Sequence, residues 1–181
     1  WLVSRMRELN FAPRTDFSYC NTGYTLAGEI VRRVAGTPLR SFVSDKIFTP
    51  LGMHASTIRE RHGLVVRDHA YGYRRTPDGA FEVRMPNYDL VGPTNLLTTV
   101  RDLVRWDANF DHATVGGTAG LEEMQTKGTL TTGASINYGL GLYIRNYRGW
   151  KIVEHDGRDA GDDGVGRHLA DMDLAGGAVD D

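Results

Sequence analysis

Residues 23–36 constrain the chain most. Leu26, Ile30 and Val34 recur every four residues, with Ala27 and Val31 beside them. That period of about 3.6 brings apolar side chains onto one face only in an α-helix. Gly36 is placed to stop the helix in the left-handed conformation. Thr37-Pro38 then restarts one, threonine as N-cap and proline at the first helical position. We therefore expect a helix from Gly23 to Ala35. A second follows, with Leu39, Phe42, Val43 and Ile47 as its buried stripe, ended by Thr49-Pro50-Leu51-Gly52. Directly before the first helix stands Phe17-Ser18-Tyr19-Cys20-Asn21-Thr22-Gly23-Tyr24. A tyrosine and an asparagine two apart at such a point can turn a phenol and a carboxamide into one cleft.

Elsewhere the pattern alternates between helix and short strand. Trp1 to Leu9 has helical spacing, with Pro13 and Thr15-Asp16 as its end. Tyr71-Gly72-Tyr73 and Phe81-Glu82-Val83 flank a Pro77-Asp78-Gly79 turn and read as a hairpin. Thr99 to Asp102 resembles a capping box with Asp in place of Glu, opening a helix of about three turns through Leu103, Trp106 and Phe110. Leu121 to Met124 reads as one more helical turn. Tyr138 to Arg145, a turn at Tyr147-Arg148-Gly149, and Trp150 to His155 read as an antiparallel hairpin. Residues 162–181 hold many Asp and Gly and no aromatic. That stretch shows neither period and reads as lacking regular structure.

Composition excludes several classes. A net charge of −2 gives no footprint for nucleic acid. No apolar run approaches the ~20 residues of a membrane span. One cysteine, Cys20, excludes an internal disulfide and a cysteine-based zinc site. The six histidines show no i, i+4 pair for a helical metal site. There is no G-x-S-x-G elbow, H-E-x-x-H or phosphate-binding glycine loop.

Two constellations remain, Tyr19-x-Asn21 and His155-Asp156-Gly157. A tyrosine beside a cation can lose its proton and act as a base, and an asparagine can hold a substrate amide through donor and acceptor together. A histidine before a glycine on an edge strand offers a polar group where substrate can lie against backbone. Each has a plainer reading. Tyr19 can be a turn aromatic, Asn21 a helix N-cap and His155 a half-exposed strand residue. Cys20 reads best as a small buried residue, Trp106 and Trp150 as core, and Asp102 as a charge at a helix N-terminus.

The chain resembles the class C β-lactamase and penicillin-binding-protein-like serine hydrolases, a family that includes esterases and D-amino-acid peptidases. The resemblance rests on Phe17 to Tyr24, Gly36, Ile47-Phe-Thr-Pro-Leu-Gly-Met53, Asn95 to Trp106, Tyr138-Gly-Leu-Gly-Leu142 and His155-Asp-Gly157. It implies an α/β fold of the α+β type, a helical lobe packed against an antiparallel sheet with the cleft between them. In these terms residues 1–161 are a partial domain, 1–130 mostly helical lobe and 131–161 sheet hairpin, incomplete at both ends. Residues 162–181 depart from the family and read as a frameshifted or truncated tail.

The resemblance also implies roles. Tyr19 corresponds to the tyrosine that serves as base with a lysine, and Asn21 to the asparagine that holds the substrate amide. His155 and Gly157 correspond to the strand motif, and the backbone N–H of Arg158 to half of the oxyanion hole. The family's nucleophile lies in Ser-x-x-Lys, upstream of the tyrosine. Here Lys46, Lys127 and Lys151 follow Val43, Met124 and Arg148 at that spacing, so the motif is absent. Asp156 stands where a hydroxyl residue or a glycine is usual. No metal or organic cofactor is implied. The expected partner is a small-molecule or peptidoglycan-like substrate, cleaved at an amide or ester through an acyl-enzyme. The isolated chain is expected to be inactive. A non-catalytic ligand-binding homologue and a gene fragment without its own role are the alternatives. Compartment and oligomeric state are not legible.

Overall fold

A computed structural model describes residues 3–157 and, as backbone, 166–172. Five α-helices lie in chain order at Asn21–Ala35 (α1), Leu39–Val43 (α2), Thr49–Leu51 (α3), Val100–His112 (α4) and Gly117–Met124 (α5). Seven strands complete the described residues, all paired antiparallel. Two short pairs sit among the helices. Thr57–Ile58 (β1) pairs with Leu96–Leu97 (β4), and Tyr73–Arg75 (β2) with Phe81–Val83 (β3). The larger sheet is Tyr143–Tyr147 (β5), Trp150–Gly157 (β6) and Gly166–Met172 (β7), in that order. No helix of the described residues is long and apolar enough to cross a membrane.

α1 ends as expected at Gly36, whose φ is 68° and whose N–H bonds back to the Arg32 carbonyl. Its packing is not the expected one. The inward face is built on Gly28, which lies against Leu39 and the backbone of Val91 and Gly92. Leu26, Ile30 and Val34 face outward at 45, 61 and 84% exposure. A small residue is what permits this close approach. Gly92, at φ 107°, sits so near the Tyr24 carbonyl that any side chain there would collide with α1 backbone.

α2 starts one residue later than expected, with Pro38 rather than Thr37 in the N-cap position and no side-chain cap. It runs into a π-turn, Ser44–Phe48, before α3. Pro50 lacks an N–H, and its ring presses on the carbonyl four residues back, so a widened register just ahead of it relieves the clash. Gly52 then closes the run at φ 70°. Phe48, Met53 and Ile58 form the core here, with Val43, Ile47, Leu51, Val91 and Trp106 packed on it.

Further differences are physical rather than incidental. Trp1 and Leu2 lie outside the described residues, and beyond them only Val3–Arg5 forms a helical turn. Met6 and Leu9 are exposed, and a short helix with nothing to bury its apolar side is marginal in water. Trp150 is 50% exposed rather than core, because it sits beside the tight turn that opens β6. That turn, Arg148–Gly149, has positive φ at both residues, 52° and 87°. Such a two-residue turn matches the twist of a hairpin. The sheet does not stop at the hairpin, since Gly166–Met172 adds a third strand within the stretch expected to lack structure. The rest of 162–181 lies outside the described residues.

Asp102 ties the helical part together. Thr99 caps α4 by accepting the Asp102 N–H at 3.3 Å, as the capping motif requires. The Asp102 carboxylate turns inward instead of back onto Thr99. One oxygen accepts from the Ala55 N–H at 2.8 Å and from the Ser56 hydroxyl at 2.9 Å, and the other from Arg105 at 2.7 Å. Asp102 is only 2% exposed. Burial alone would raise its pKa, but the bonds from Ser56, Ala55 and Arg105 outweigh that and hold the carboxyl below its usual range. A depressed folded-state pKa stabilises the fold above the unfolded carboxylate value of about 4 and ceases to do so as pH falls through the folded value. Asp102→Ala leaves the Ala55 N–H unpaired and the Ser56 hydroxyl with Thr98 alone, 2.7 Å away, and we expect a loss of about 2 kcal/mol. Urea denaturation should show it, with the difference from the parent shrinking below about pH 4.

Candidate functional site

The loop Asp16–Cys20 enters α1 beside the large sheet, and aromatic rings hold it there. Tyr138 is the hub, 7% exposed. Its ring centroid lies 5.3 Å from Phe17, 6.0 Å from Tyr19 and 4.8 Å from Tyr143. Its hydroxyl has no hydrogen-bond partner among the described residues. Burial, with the Tyr24 hydroxyl second, pushes that phenol far above its ordinary pKa.

On this support the two sequence constellations meet. The Tyr19 hydroxyl lies 3.4 Å from His155 Nε2, across 136 residues of chain. This is a long contact in which either atom can donate. The rings are tilted at 39° with centroids 6.0 Å apart, and Tyr143 flanks His155 at 5.9 Å. Tyr19 is not the ionised base that a neighbouring cation would make. Burial first, then Tyr143, Tyr24 and Asp156, raise its pKa above 10.0, so the phenol keeps its proton at neutral pH.

His155 and Gly157 lie on β6, the central strand of the sheet rather than an edge. β5 reaches only as far as the Tyr143–Glu154 pair, however. Residues 155–157 therefore have no described strand on that side, and the expected open edge exists locally. Among the described residues, nothing comes within 4 Å of the position a Gly157 side chain would take. Asn21 is the first residue of α1 and exposed, its carboxamide without a described hydrogen bond. Arg158 lies outside the described residues.

Two features departed from the sequence reading or escaped it. Cys20 is the N-cap of α1 and exposed, not buried, because an N-cap with extended backbone stands outside the packed face of its helix. The Gly23 N–H favours its thiolate, against a smaller effect of burial, and its pKa falls below the ordinary thiol value. Next to Tyr19 there is also a cavity of about 450 Å³, walled in part by Ile136, Leu140 and Glu123. Those residues carry no chemical signature of their own. Their one signal in the sequence is the Gly-rich run at 139–141, where the backbone of Gly139 closes on the end of α5.

The β-lactamase family model matches residues 4–174. The chain belongs to the β-lactamase family. A D-aminopeptidase of Brucella anthropi is 27% identical over 157 residues, which is 86% of this chain and 30% of that protein. The D-aminopeptidase of Cereibacter sphaeroides is 24% identical over 96% of this chain and 34% of its own length. The chain thus spans about a third of these family members. Among solved structures, the octameric penicillin-binding protein homologue from Pyrococcus abyssi superposes with a TM-score of 0.69 at 29% identity, over 81% of this chain and 34% of that one. The D-amino acid amidase from Ochrobactrum anthropi SV3 gives 0.58 at 26%, over 79% and 43%. These agree with the resemblance carried by the motifs and with a helical part set against an antiparallel sheet.

The state of Tyr19 is open to direct measurement. A spectrophotometric titration of the chain and of Tyr19→Phe should differ by one phenol ionising above the usual value of about 10. A missing transition at or below that value would contradict the burial argument.

Proposed function

We propose that the chain is the assisting part of a serine hydrolase that cleaves an amide through an acyl-enzyme. The observation that carries this is the 3.4 Å approach of the Tyr19 hydroxyl to His155 Nε2. It joins the loop before α1 to the open end of β6 in a family of hydrolases. The D-aminopeptidase and D-amino acid amidase relatives support an amide of a D-amino acid over a β-lactam or a carboxylic ester.

In this reading Tyr19 relays a proton between the nucleophile and the leaving group, while Asn21 orients the substrate amide. The β6 end at His155 and Gly157 lies along the substrate backbone, and the Arg158 N–H donates to the oxyanion. The raised pKa of Tyr19 sets a requirement. Its phenol becomes a useful base only when a cation comes within about 4–6 Å. A lysine one helical turn from a serine supplies both that cation and the nucleophile. The 181 residues contain no Ser-x-x-Lys, so this chain alone stops at binding.

The same absence favours a second reading, a ligand-binding homologue that performs no chemistry. A fluorophosphonate or penicillin probe tests the first. We expect no stoichiometric acylation of the 181-residue chain, with acylation only when a segment bearing Ser-x-x-Lys is joined to it. Tyr19→Phe should then slow acylation by about 10²–10⁴. Stoichiometric labelling of the chain alone would refute the assisting role. A joined protein that binds the probe without being acylated would favour the second reading, and one acylated equally fast with Tyr19→Phe would refute the role of Tyr19.

A further inference from the structure

The cavity beside Tyr19 has a composition that the catalytic reading does not use. Its volume of about 450 Å³ lies within the range of roughly 300–1,000 Å³ typical of small-molecule sites. Four aromatic residues, Phe17, Tyr19, Tyr24 and Tyr138, share its wall with the aliphatic Ile136 and Leu140. Two charged residues reach it, Glu123 from the end of α5 and Lys127 just beyond. They differ in how they are engaged. Lys127 Nζ donates to Asn137 Oδ1 at 2.7 Å. The Glu123 carboxylate has no described hydrogen-bond or ion-pair partner. Aromatic faces carry negative charge density and attract an ammonium, more so where water is excluded. A free carboxylate at the same wall supplies the charge-assisted hydrogen bond that an ammonium needs.

We propose that this cavity selects substrates by a free ammonium group, with Glu123 as the specificity-determining residue. The group it would take is the α-amine of an amino acid amide, whose apolar side chain packs on Ile136 and Leu140. This rests on the hydrolase reading for placing the scissile amide at Tyr19, but the ammonium preference stands on the cavity alone. Lys127 offers the opposite chemistry, recognition of a carboxylate, so the choice of ligands must separate the two.

Calorimetric titration of the 181-residue chain does so without any turnover. The three ligands are D-phenylalanine amide (cation), N-acetyl-D-phenylalanine amide (neutral) and N-acetyl-D-phenylalanine (anion). The cation should bind about tenfold or more tighter than the neutral amide, and the anion weakest. Glu123→Gln should abolish the difference between cation and neutral amide, while Glu122→Gln keeps it. Both positions are exposed on α5, so circular dichroism should show both variants folded. Alkylation of Cys20, on the same wall, should slow when D-phenylalanine amide is bound. Equal binding of cation and neutral amide, tighter binding of the anion, absence of binding, or a preference that survives Glu123→Gln would overturn the proposal. None of those outcomes bears on acylation by the serine probe, so the two readings fail separately.

Discussion

The packing of aromatic rings around Tyr138 is what joins the helical part to the sheet at the site. α1 itself packs through Gly28 onto Leu39 and the 91–92 loop. The loop ahead of it is held by Phe17 and Tyr19 against Tyr138, whose own ring stands edge-on to Tyr143 on β5. Pairs of this kind contribute about 0.5–1.5 kcal/mol each beyond the area they bury. Their tilted and edge-on geometries also fix direction. The direction matters here, because it leaves the Tyr19 hydroxyl facing His155.

The same packing limits the chemistry. Tyr19 stays 46% exposed, yet its partial burial, with Tyr143 and Tyr24 beside it, raises its pKa, so the arrangement is assembled without being charged for proton abstraction. Burial and a neighbouring cation act in opposite senses on a phenol, and only burial is present among the described residues. A site built this way orders its substrate-facing groups first. It gains reactivity when a cation arrives with the nucleophile. Cys20 shows the converse one residue later, where backbone N–H groups at the start of α1 lower a thiol that the aromatic packing does not enclose.

How much of this was legible in the sequence follows from the range of each interaction. The stop at Gly36, the cap of Thr99 on α4 and the Arg148–Gly149 turn depend on residues at most four apart, and all were readable. The period of α1 announced an apolar face but not what that face meets. Gly28 makes the close contact while Leu26, Ile30 and Val34 stay outside. Asp102 reads as a helix charge because its partners Ala55 and Ser56 lie 47 and 46 residues away. β7 pairs through backbone bonds, which need no apolar period, so Gly166–Met172 gave no signal. The meeting of Tyr19 and His155 came from the family resemblance and not from spacing, which says nothing across 136 residues. The cavity left only the Gly-rich run at 139–141 as a trace, since Glu123, Ile136 and Leu140 are ordinary residues until the fold brings them together.

The central claim is that Tyr19 and His155 form one unit across the junction of loop and sheet. The most direct test is the ¹⁵N NMR spectrum of the histidine rings in the chain and in Tyr19→Phe. Removing one hydroxyl should move the Nε2 resonance of His155, which loses its only oxygen neighbour of this kind among the described residues. His54 and His112, remote in the chain and without contact to Tyr19, should stay in place. An unchanged His155 resonance, with the variant folded, would contradict the account.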